Sequence, residues 1–499
     1  MGKILNQFGR PMSSSLFHQS GRLGSDRGLP IHFINGGKDD THKVLNASSR
    51  ENMRNAGRWL LANYPVVAGA LRENATYAFP LTPRYTGRDK AWGQEAQAWL
   101  SDWDQVSELR GPNYTRLSAS RARLIARKTD GDFAIRLTTN KSGDFPMISH
   151  VRGHRIHNGT EQGSDNLVEG VILNKLGSPA KYRIQTGKTS KDTTDLAARS
   201  VHFCFNPEYL DQYRGIPILG SSIVSFADTK QLREWDMHAQ KMASSLVFIE
   251  HNELGEPDPG DGFTEAASGT TTSSSASGGQ TQVYEQGMTK FFQAGMTNTK
   301  LEQLAYNRPS NESQAFEDKI TRQALYGIGW DPDFALSLKT PGGAWARTII
   351  EKIRRTIWMD QEIEERTLRR IHSYALGFAV KHGLLPKPKS KDWWRAWSYN
   401  GPARITADSG NERKATMDEY KLGIQTLAGL EDERGKYWRD VRDQQDDELN
   451  DLLTRAKALS GKNGISLSTA ISLYRQSNPN PTFEEQVEEV AAATIEDDE

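Results

Sequence analysis

A stretch of about forty residues, from Thr340 to Val380, constrains the fold of this chain more than any other segment. It opens on Thr340-Pro341, which is typical of an N-cap residue followed by a proline at the first helical position. Apolar residues then recur at helical spacing, and the next proline is Pro386. Such a helix would be roughly 50–60 Å long, well beyond the usual three or four turns. We expect it to pack either inside a large helical domain or against copies of itself.

Composition sets looser bounds. The 499 residues are enough for two to four structural units, and only 36% are hydrophobic, so much of the chain must be surface, loop or interface. The formal net charge is zero, which gives no whole-chain case for a nucleic-acid binder. The charge is uneven, however. Residues 341–391 carry eleven basic and five acidic side chains (+6), and residues 411–499 carry eleven and twenty (−9).

A single cysteine, Cys204, excludes an internal disulfide framework and a cysteine-rich zinc site. The first residues show no signal-peptide pattern, and no apolar run reaches the eighteen residues that a membrane span needs. We therefore expect a soluble protein that is made in the reducing cytosol and has no membrane partner.

Helical patterns come first along the chain, after a Gly-, Ser-, Asn- and Arg-rich arm. From Ala47 to Tyr77 they place Arg50, Arg54 and Arg58 on one face, which we interpret as a solvated charged face rather than a phosphate contact. In the next helical stretch three tryptophans are spaced as a buried stripe: Trp92, Trp99 and Trp103.

Residues 116–205 carry strand signals instead. The β-prone runs are Leu124–Ala126, Phe133–Leu137 and Val168–Leu173, and Asp130-Gly131 is a hairpin-type turn signal. A further helix is predicted from Pro217 to about Leu246. Residues 248–300 are predicted to form loops, which include a low-complexity segment at 266–280.

Catalytic signatures are sparse. Gly187-Lys188-Thr189 resembles the end of a phosphate-binding loop, but Tyr182 stands where the first glycine is required. His150, His154 and His157 could ligate a metal, although a solvated basic loop is the favoured interpretation. No nucleophile–base pairing can be recognised. We therefore assign no catalytic, cofactor-binding or metal-binding residue and expect a protein that is not an enzyme.

Several short motifs follow one another between residues 48 and 455. The most specific is Val201-His202-Phe203 followed by Tyr213-Arg214-Gly215-Ile216-Pro217, a histidine strand and an Arg-Gly-aliphatic-Pro element ahead of a helix. The others are Arg50–Gly69, Trp99 with Trp103, Asp130-Gly131-Asp132, Gly170-Val171, Ala180–Tyr182, Gly401-Pro402 and Glu412–Ala415. In this order they resemble the lambda-type family of tailed-bacteriophage portal proteins, the head–tail connectors. Of that family's Ser-Ser-x-Arg element only Arg347 is retained.

The resemblance implies an α+β fold with a mixed wing, a two-helix stem, a small clip and a helical crown, assembled as a ring. The implied divisions are an N-terminal arm (1–47), wing (48–215), first stem helix (216–247), clip (248–340) with a flexible insertion (266–280), second stem helix (341–380), channel loop and return strand (381–411), crown (412–481) and acidic tail (482–499). The motif residues carried over are His202, Arg214, Gly215, Pro217 and Arg347.

The resemblance also implies a function: a dodecameric ring at one capsid vertex of the virion, through which double-stranded DNA is packaged and ejected. Implied partners are the terminase large subunit, the major capsid and scaffolding proteins, and a head-completion or tail adaptor. Candidate contacts to DNA are Lys381, Lys387, Lys389 and Lys391, and candidate contacts between stems are Trp345, Ile349, Ile353 and Ile357. The alternatives are a DNA-processing enzyme (a nuclease or packaging ATPase component that uses the histidines or Lys188) and a different head–tail adaptor ring.

Overall fold

The computed structural model describes residues 47–161, 163–164, 166–244, 247–251, 271–274, 280–286, 289–294, 300–303, 311–336, 343–406 and 409–477. The predicted acidic tail, the N-terminal arm up to residue 46 and the opening Thr340–Gly342 of the long helix lie outside these residues. The chain divides into two compact units, which meet in sequence at Tyr399 and Asn400.

Helices open the first unit: α1 (Ala47–Asn63), α2 (Pro65–Ala78), α3 (Lys90–Val106) and α4 (Arg116–Asp130). The predicted tryptophan stripe lies on α3, and its members Trp92 and Trp103 are buried. The strand predicted at Leu124–Ala126 is wrong, because these residues lie inside α4. Thr115 caps this helix by accepting a hydrogen bond from the Ser118 amide, and Gly131 ends it.

The strands of the wing region are β1 (Thr82–Tyr85), β2 (Asp132–Thr139), β3 (Pro146–Arg152), β4 (Leu167–Val168), β5 (Val171–Leu173), β6 (Pro179–Gln185), β7 (Thr193–Ala197) and β8 (Val201–Phe205). They form an antiparallel sheet of order β3-β2-β8 and a second antiparallel sheet of order β4-β5-β6-β7. A shared apolar cluster that includes Ala134, Val171 and Val201 fills the core. The strand predicted at Phe133–Leu137 is confirmed. The predicted run Val168–Leu173 is instead divided, because a turn at Glu169-Gly170 folds β4 and β5 into a hairpin.

The turn at Asp130-Gly131 does not form a hairpin. Gly131 ends α4 with a φ of 88° and leads directly into β2, so the turn joins a helix to a strand. The same glycine passes so close to Gly215 that a Cβ on Gly215 would lie 2.0 Å from the Gly131 carbonyl oxygen. Two glycines are therefore needed where these two backbone segments cross.

A short 3₁₀ turn at Ile218–Ser221 precedes α5 (Ile223–Ser244), so the predicted helix begins a few residues after Pro217. The loop predicted over 248–300 is wrong in part. This region contains a sheet of order β10-β11-β12-β9-β13, built from β9 (Val247–His251), β10 (Thr271–Ser274), β11 (Gln280–Gln286), β12 (Thr289–Ala294) and β13 (Lys300–Gln303). Residues 266–270 and 275–279 of the low-complexity segment lie outside the described residues.

Two shorter helices, α6 (Asn311–Gly327) and α7 (Pro332–Leu336), precede the long helix α8 (Gly343–Lys381). Helix α8 is a single unbroken element of 39 residues, as the sequence predicts. It packs against α2, α3, α4, α7, β3 and β8. After a loop, β14 (Trp397–Asn400) pairs with β1.

Within residues 409–477 the second unit has four helices: α9 (Ser409–Lys421), α10 (Leu427–Glu433), α11 (Trp438–Asn463) and α12 (Leu467–Ser477). Thr426 caps α10 by accepting a hydrogen bond from the Gly429 amide at 3.1 Å. Helices α11 and α12 pack on each other after Gly464 ends α11 in the left-handed conformation. None of the helices that the structure describes is both long enough and apolar enough to span a membrane.

Candidate functional site

The apolar side of α8 lies in the core of the single chain. Ile349, Ile353 and Ile357 are 4%, 1% and 7% exposed, because α2 and α7 pack beside the N-terminal half of the helix. Trp345, the fourth predicted subunit contact, is half-exposed. The three isoleucines therefore have partners within the protomer, and the opposite face of α8 is the one that is open to a neighbouring subunit.

Two carboxylates interrupt the apolar side of α8. Asp360 pairs with Arg127 and Lys128 of α4, the latter at 3.0 Å, and accepts a hydrogen bond from the Asn74 amide group. Burial alone would raise the pKa of Asp360, but the two cations lower it to about 2. One turn further on, Glu364 pairs with Arg123 and accepts a 2.8 Å hydrogen bond from Ser120. A buried ionic seam thus joins the long helix to α4.

The seam continues along α8 with neutral and weakly basic groups. Thr367 contacts His202 of β8 at 3.1 Å, and His372 lies 3.2 Å from Asp104 of α3 and 3.0 Å from the hydroxyl of Tyr399. Burial, together with nearby arginines, lowers the pKa of His202 to about 4. The motif histidine is therefore a neutral, partly buried contact between the β8 strand and the long helix.

Arg214 ties the wing strands together from the interior. Its guanidinium donates to both carboxylate oxygens of Asp132, at 2.7 and 3.1 Å, and to the carbonyl oxygens of Gly153 and Ile156. Burial disfavours the charged form of both groups. The ion pair nevertheless lowers the pKa of Asp132 and raises the pKa of Arg214, so both are charged. With Gly215 beside it and Pro217 opening the following 3₁₀ turn, the motif holds the entry to α5 in place.

The basic face predicted on α1 is not solvated. Arg50 is 2% exposed and pairs with Glu169 at 2.7 Å, and Arg58 donates to both oxygens of the buried Asp130. The residues between these arginines are polar enough to mimic an exposed face in the sequence. The interpretation is wrong because the carboxylates that neutralise the face come from distant strands and turns.

The three predicted histidines do not converge. His150 contacts Glu108 and Arg123, His154 contacts Arg58, and His157 accepts a hydrogen bond from the Gly159 amide. Within the described ranges, no group of three or more His, Cys, Asp or Glu side chains is placed to hold a metal ion. Thr189, next to Lys188, instead donates to Asp192 in a surface turn.

Hydrogen bonds anchor the backbone of the loop after α8, whereas the lysine side chains of this loop are exposed. The Lys389 amide donates to Asp89 at 3.1 Å, the Trp92 indole donates to the Pro386 carbonyl oxygen at 2.9 Å, and Leu385 is buried. The four predicted DNA contacts, Lys381, Lys387, Lys389 and Lys391, are all exposed. Lys387, Lys389 and Lys391 thus lie on one anchored loop, and Lys381 is the last residue of α8.

Large apolar side chains remain exposed on the faces of the helices around the stem. On α8 they are Trp345, Trp358 and Met359, and on α5 and α6 they are Trp235, Met237, Phe316 and Tyr326. Arg347, the motif arginine, is exposed on the same helix as the first group. Trp358 and Trp235 are each 62% exposed, and clusters of large apolar side chains exposed to this extent are typical of surfaces that bind another protein.

Asp360 and Glu364 were not predicted as buried, ion-paired positions. Their signal was present, since they continue the spacing of Ile349, Ile353 and Ile357 on the same side of the helix. A carboxylate that falls on the apolar stripe of a long helix predicts a buried cation opposite it.

The solved structures that match the chain are distant in sequence. The neck of an empty gene transfer agent particle shares 11% identity, with 82% of this chain and 96% of that chain covered and a TM-score of 0.49. The virion of a native gene transfer agent particle shares 10% identity over 75% and 88% of the chains, with a TM-score of 0.45. An HK97 family phage portal protein from Corynebacterium diphtheriae shares 13% over 60% and 85%, with a TM-score of 0.30.

No curated protein matches the chain in sequence. The family model described as "Phage portal protein, lambda family" matches residues 37–331, which is more than half of the chain. The matched range includes α1 to α6 and the motif residues His202, Arg214 and Gly215. The chain therefore belongs to the lambda family of phage portal proteins.

Proposed function

We propose that this portal protein assembles into a closed ring, with twelve copies as the expected number, around a channel for double-stranded DNA at one vertex of the capsid. The observation that carries the proposal is α8: one unbroken helix whose isoleucine side is buried in its own protomer from Ile349 onward. Trp358 and Met359, which lie away from that side, are exposed, as is Trp345 one turn before Ile349. A second set of exposed apolar side chains lies on α5 and α6. Two different exposed apolar faces on one chain are suited to head-to-tail contacts between subunits, which form a closed ring when the rotation from one subunit to the next closes.

In this ring the exposed face of α8 would meet α5 and α6 of the neighbouring subunit. Trp358 would pack against aromatic residues such as Trp235 or Phe316 and remove apolar surface from water, at about 25 cal/mol per Å². Exposed charges support the match. Arg347, Lys352, Arg355, Arg366 and Arg370 outnumber Glu351 and Glu362 on α8, whereas Glu234, Glu312 and Asp318 outnumber Lys241 and Lys319 on α5 and α6.

The loop that carries Lys387, Lys389 and Lys391, with Lys381 at the end of α8, would face the bore. Lysines attract phosphates without regard to base sequence, and the attraction weakens as salt is added. Such contacts suit DNA that must slide, because no single one is strong. Anchoring through Asp89 and Trp92 keeps the backbone of the loop in place while its side chains move.

The remaining assignments follow from family membership. We propose a virion protein made in the host cytoplasm that docks the terminase large subunit during packaging, contacts major capsid and scaffolding proteins, and later binds a head-completion or tail adaptor. The wing, stem, clip, channel-loop and crown boundaries given above belong to the same proposal. Because the family is structural, we propose that the chain itself catalyses no reaction, and no observation on the described residues favours the enzymatic alternatives.

The test is the mass of the purified protein, measured by native mass spectrometry over a range of salt and protein concentrations. Wild-type protein should give a closed oligomer, whose mass is a multiple of the 55.8 kDa chain. Trp358→Asp should reduce ring formation strongly, since it places a charge in the proposed contact. Tyr209→Asp, at a half-exposed aromatic residue of the wing, is the control. A wild-type protein that stays monomeric throughout, or rings that form normally from Trp358→Asp, would contradict the proposal.

A further inference from the structure

An excess of positive charge surrounds the junction of α1, α4 and the end of β3. Five guanidinium groups face three carboxylates there: Arg50 pairs with Glu169, Arg214 pairs with Asp132, and Arg58 and Arg152 share Asp130. The fifth is Arg54, which lies between Arg50 and Arg58 on α1. The sum is two uncompensated positive charges in a largely buried cluster.

Arg54 holds an unusual position in this cluster. Its side chain is 7% exposed, its Nε has no hydrogen-bond partner, and no ion pair joins it to any part of the chain that the structure describes. Burial and the neighbouring Arg214 lower the pKa of Arg54 to about 10, against the pull of Asp132 and Asp130. Burying a guanidinium without a partner is costly, and such a group is rare unless an anion neutralises it.

His154 lies at the exposed edge of the same cluster. Its Nδ1 accepts a 2.8 Å hydrogen bond from Arg58, because a guanidinium can only donate. Burial and the charges of Arg58, Arg152 and Arg54 lower the pKa of His154 to about 4. The imidazole is therefore neutral at pH 7, and with Nδ1 accepting, its Nε2–H is available as a further donor.

We propose that this cluster is a binding site for an oxyanion of the phosphate class, with Arg54 as its central ligand and with Arg58, Arg152 and His154 at its open side. A phosphate dianion would balance the two excess charges, whereas a single carboxylate would leave one uncompensated. Guanidinium groups also bind phosphate oxygens through charge-assisted hydrogen bonds. The site lies in the wing region, apart from the lysines of the proposed channel loop.

The test is calorimetric titration of the intact protein with inorganic phosphate at pH 7, with chloride used to match the ionic strength. We expect saturable binding of one phosphate per chain. Arg54→Met, which keeps an unbranched apolar side chain and removes the guanidinium charge, should weaken binding at least about tenfold, equivalent to about 1.4 kcal/mol. Lys319→Gln removes one exposed positive charge from α6 and should leave binding unchanged.

His154→Ala at the open side supplies a second test if Arg54→Met does not fold, and it should weaken binding several-fold. Addition of a short DNA duplex to the phosphate-bound protein identifies the source of the ligand. Displacement of the bound phosphate would indicate a phosphodiester, and retention would indicate the free ion. The proposal is overturned if wild-type protein shows no saturable binding at millimolar phosphate, or if Arg54→Met and His154→Ala bind as tightly as Lys319→Gln.

Discussion

The buried pair of Arg123 and Glu364 offers the sharpest prediction about how the long helix is held. Both side chains are at most 5% exposed, and Glu364 also accepts a 2.8 Å hydrogen bond from Ser120. Replacing Glu364 with Met would leave the Arg123 guanidinium buried and unpaired. Removing one partner of a buried ion pair costs about 3–5 kcal/mol of unfolding free energy. Replacing both residues with Met should cost much less than the sum of the single changes, with a coupling energy of about 2–3 kcal/mol.

The neighbouring residue on the same helix provides the matched control. Glu365 pairs with Arg369 at 2.6 Å, but these side chains are 33% and 39% exposed. Glu365→Met should therefore cost less than about 1 kcal/mol, because solvent screens an exposed pair. Hydrogen exchange of the α8 amides in increasing urea is the suitable assay, since a chain of two compact units need not unfold in one step. Equal losses for Glu364→Met and Glu365→Met would refute the buried seam.

Three further predictions concern separate parts of the molecule. The pKa of His202 is about 4 in the folded state, below its ordinary 6.5, so the unfolded chain binds a proton first as the pH falls. The free energy of unfolding should therefore decrease between pH 6.5 and 4, by at most about 3 kcal/mol. In His202→Gln the dependence of this free energy on pH, measured by urea unfolding, should be flatter over that range, and an unchanged slope would count against the assignment. Gly215→Ala would place a Cβ 2.0 Å from the Gly131 carbonyl oxygen. The variant should have a melting temperature several degrees lower, since such a clash in a packed turn costs about 2 kcal/mol or more. A melting temperature equal to that of wild type would show that the backbone segments at Gly131 and Gly215 are less tightly packed than described. Replacing the three exposed loop lysines, Lys387, Lys389 and Lys391, with glutamine should leave the oligomer mass unchanged and reduce the salt-dependent retention of duplex DNA. Retention equal to that of wild-type protein would contradict a role for these lysines in contacting DNA.

The long helix could be predicted from the sequence because its signal is local. Isoleucines at Ile349, Ile353 and Ile357 repeat with the helical period, and no proline interrupts them. Helix α8 accordingly runs unbroken from Gly343 to Lys381. The helical period does not show which side of α8 is covered within the protomer, because that depends on which helices and strands pack against it in the folded chain.

The buried charges were missed for the opposite reason. Arg50 and Arg58 look like a solvated face because their counter-charges, Glu169 and Asp130, come from other elements. A local pattern assigns charged residues to the surface, and only the tertiary fold shows which of them are paired inside. The same limit applies to Leu124–Ala126, whose β-prone residues become part of a helix once Thr115 caps it and Gly131 ends it.

The measurement that tests the central claim most directly is an electron cryo-microscopy reconstruction of the purified protein. A portal assembly predicts a closed ring of identical chains, with the exposed α8 face that carries Trp358 against α5 and α6 of the next subunit and with Lys387, Lys389 and Lys391 lining the central opening. Single chains or dimers, or a ring in which those lysines lie on the outer rim, would contradict it.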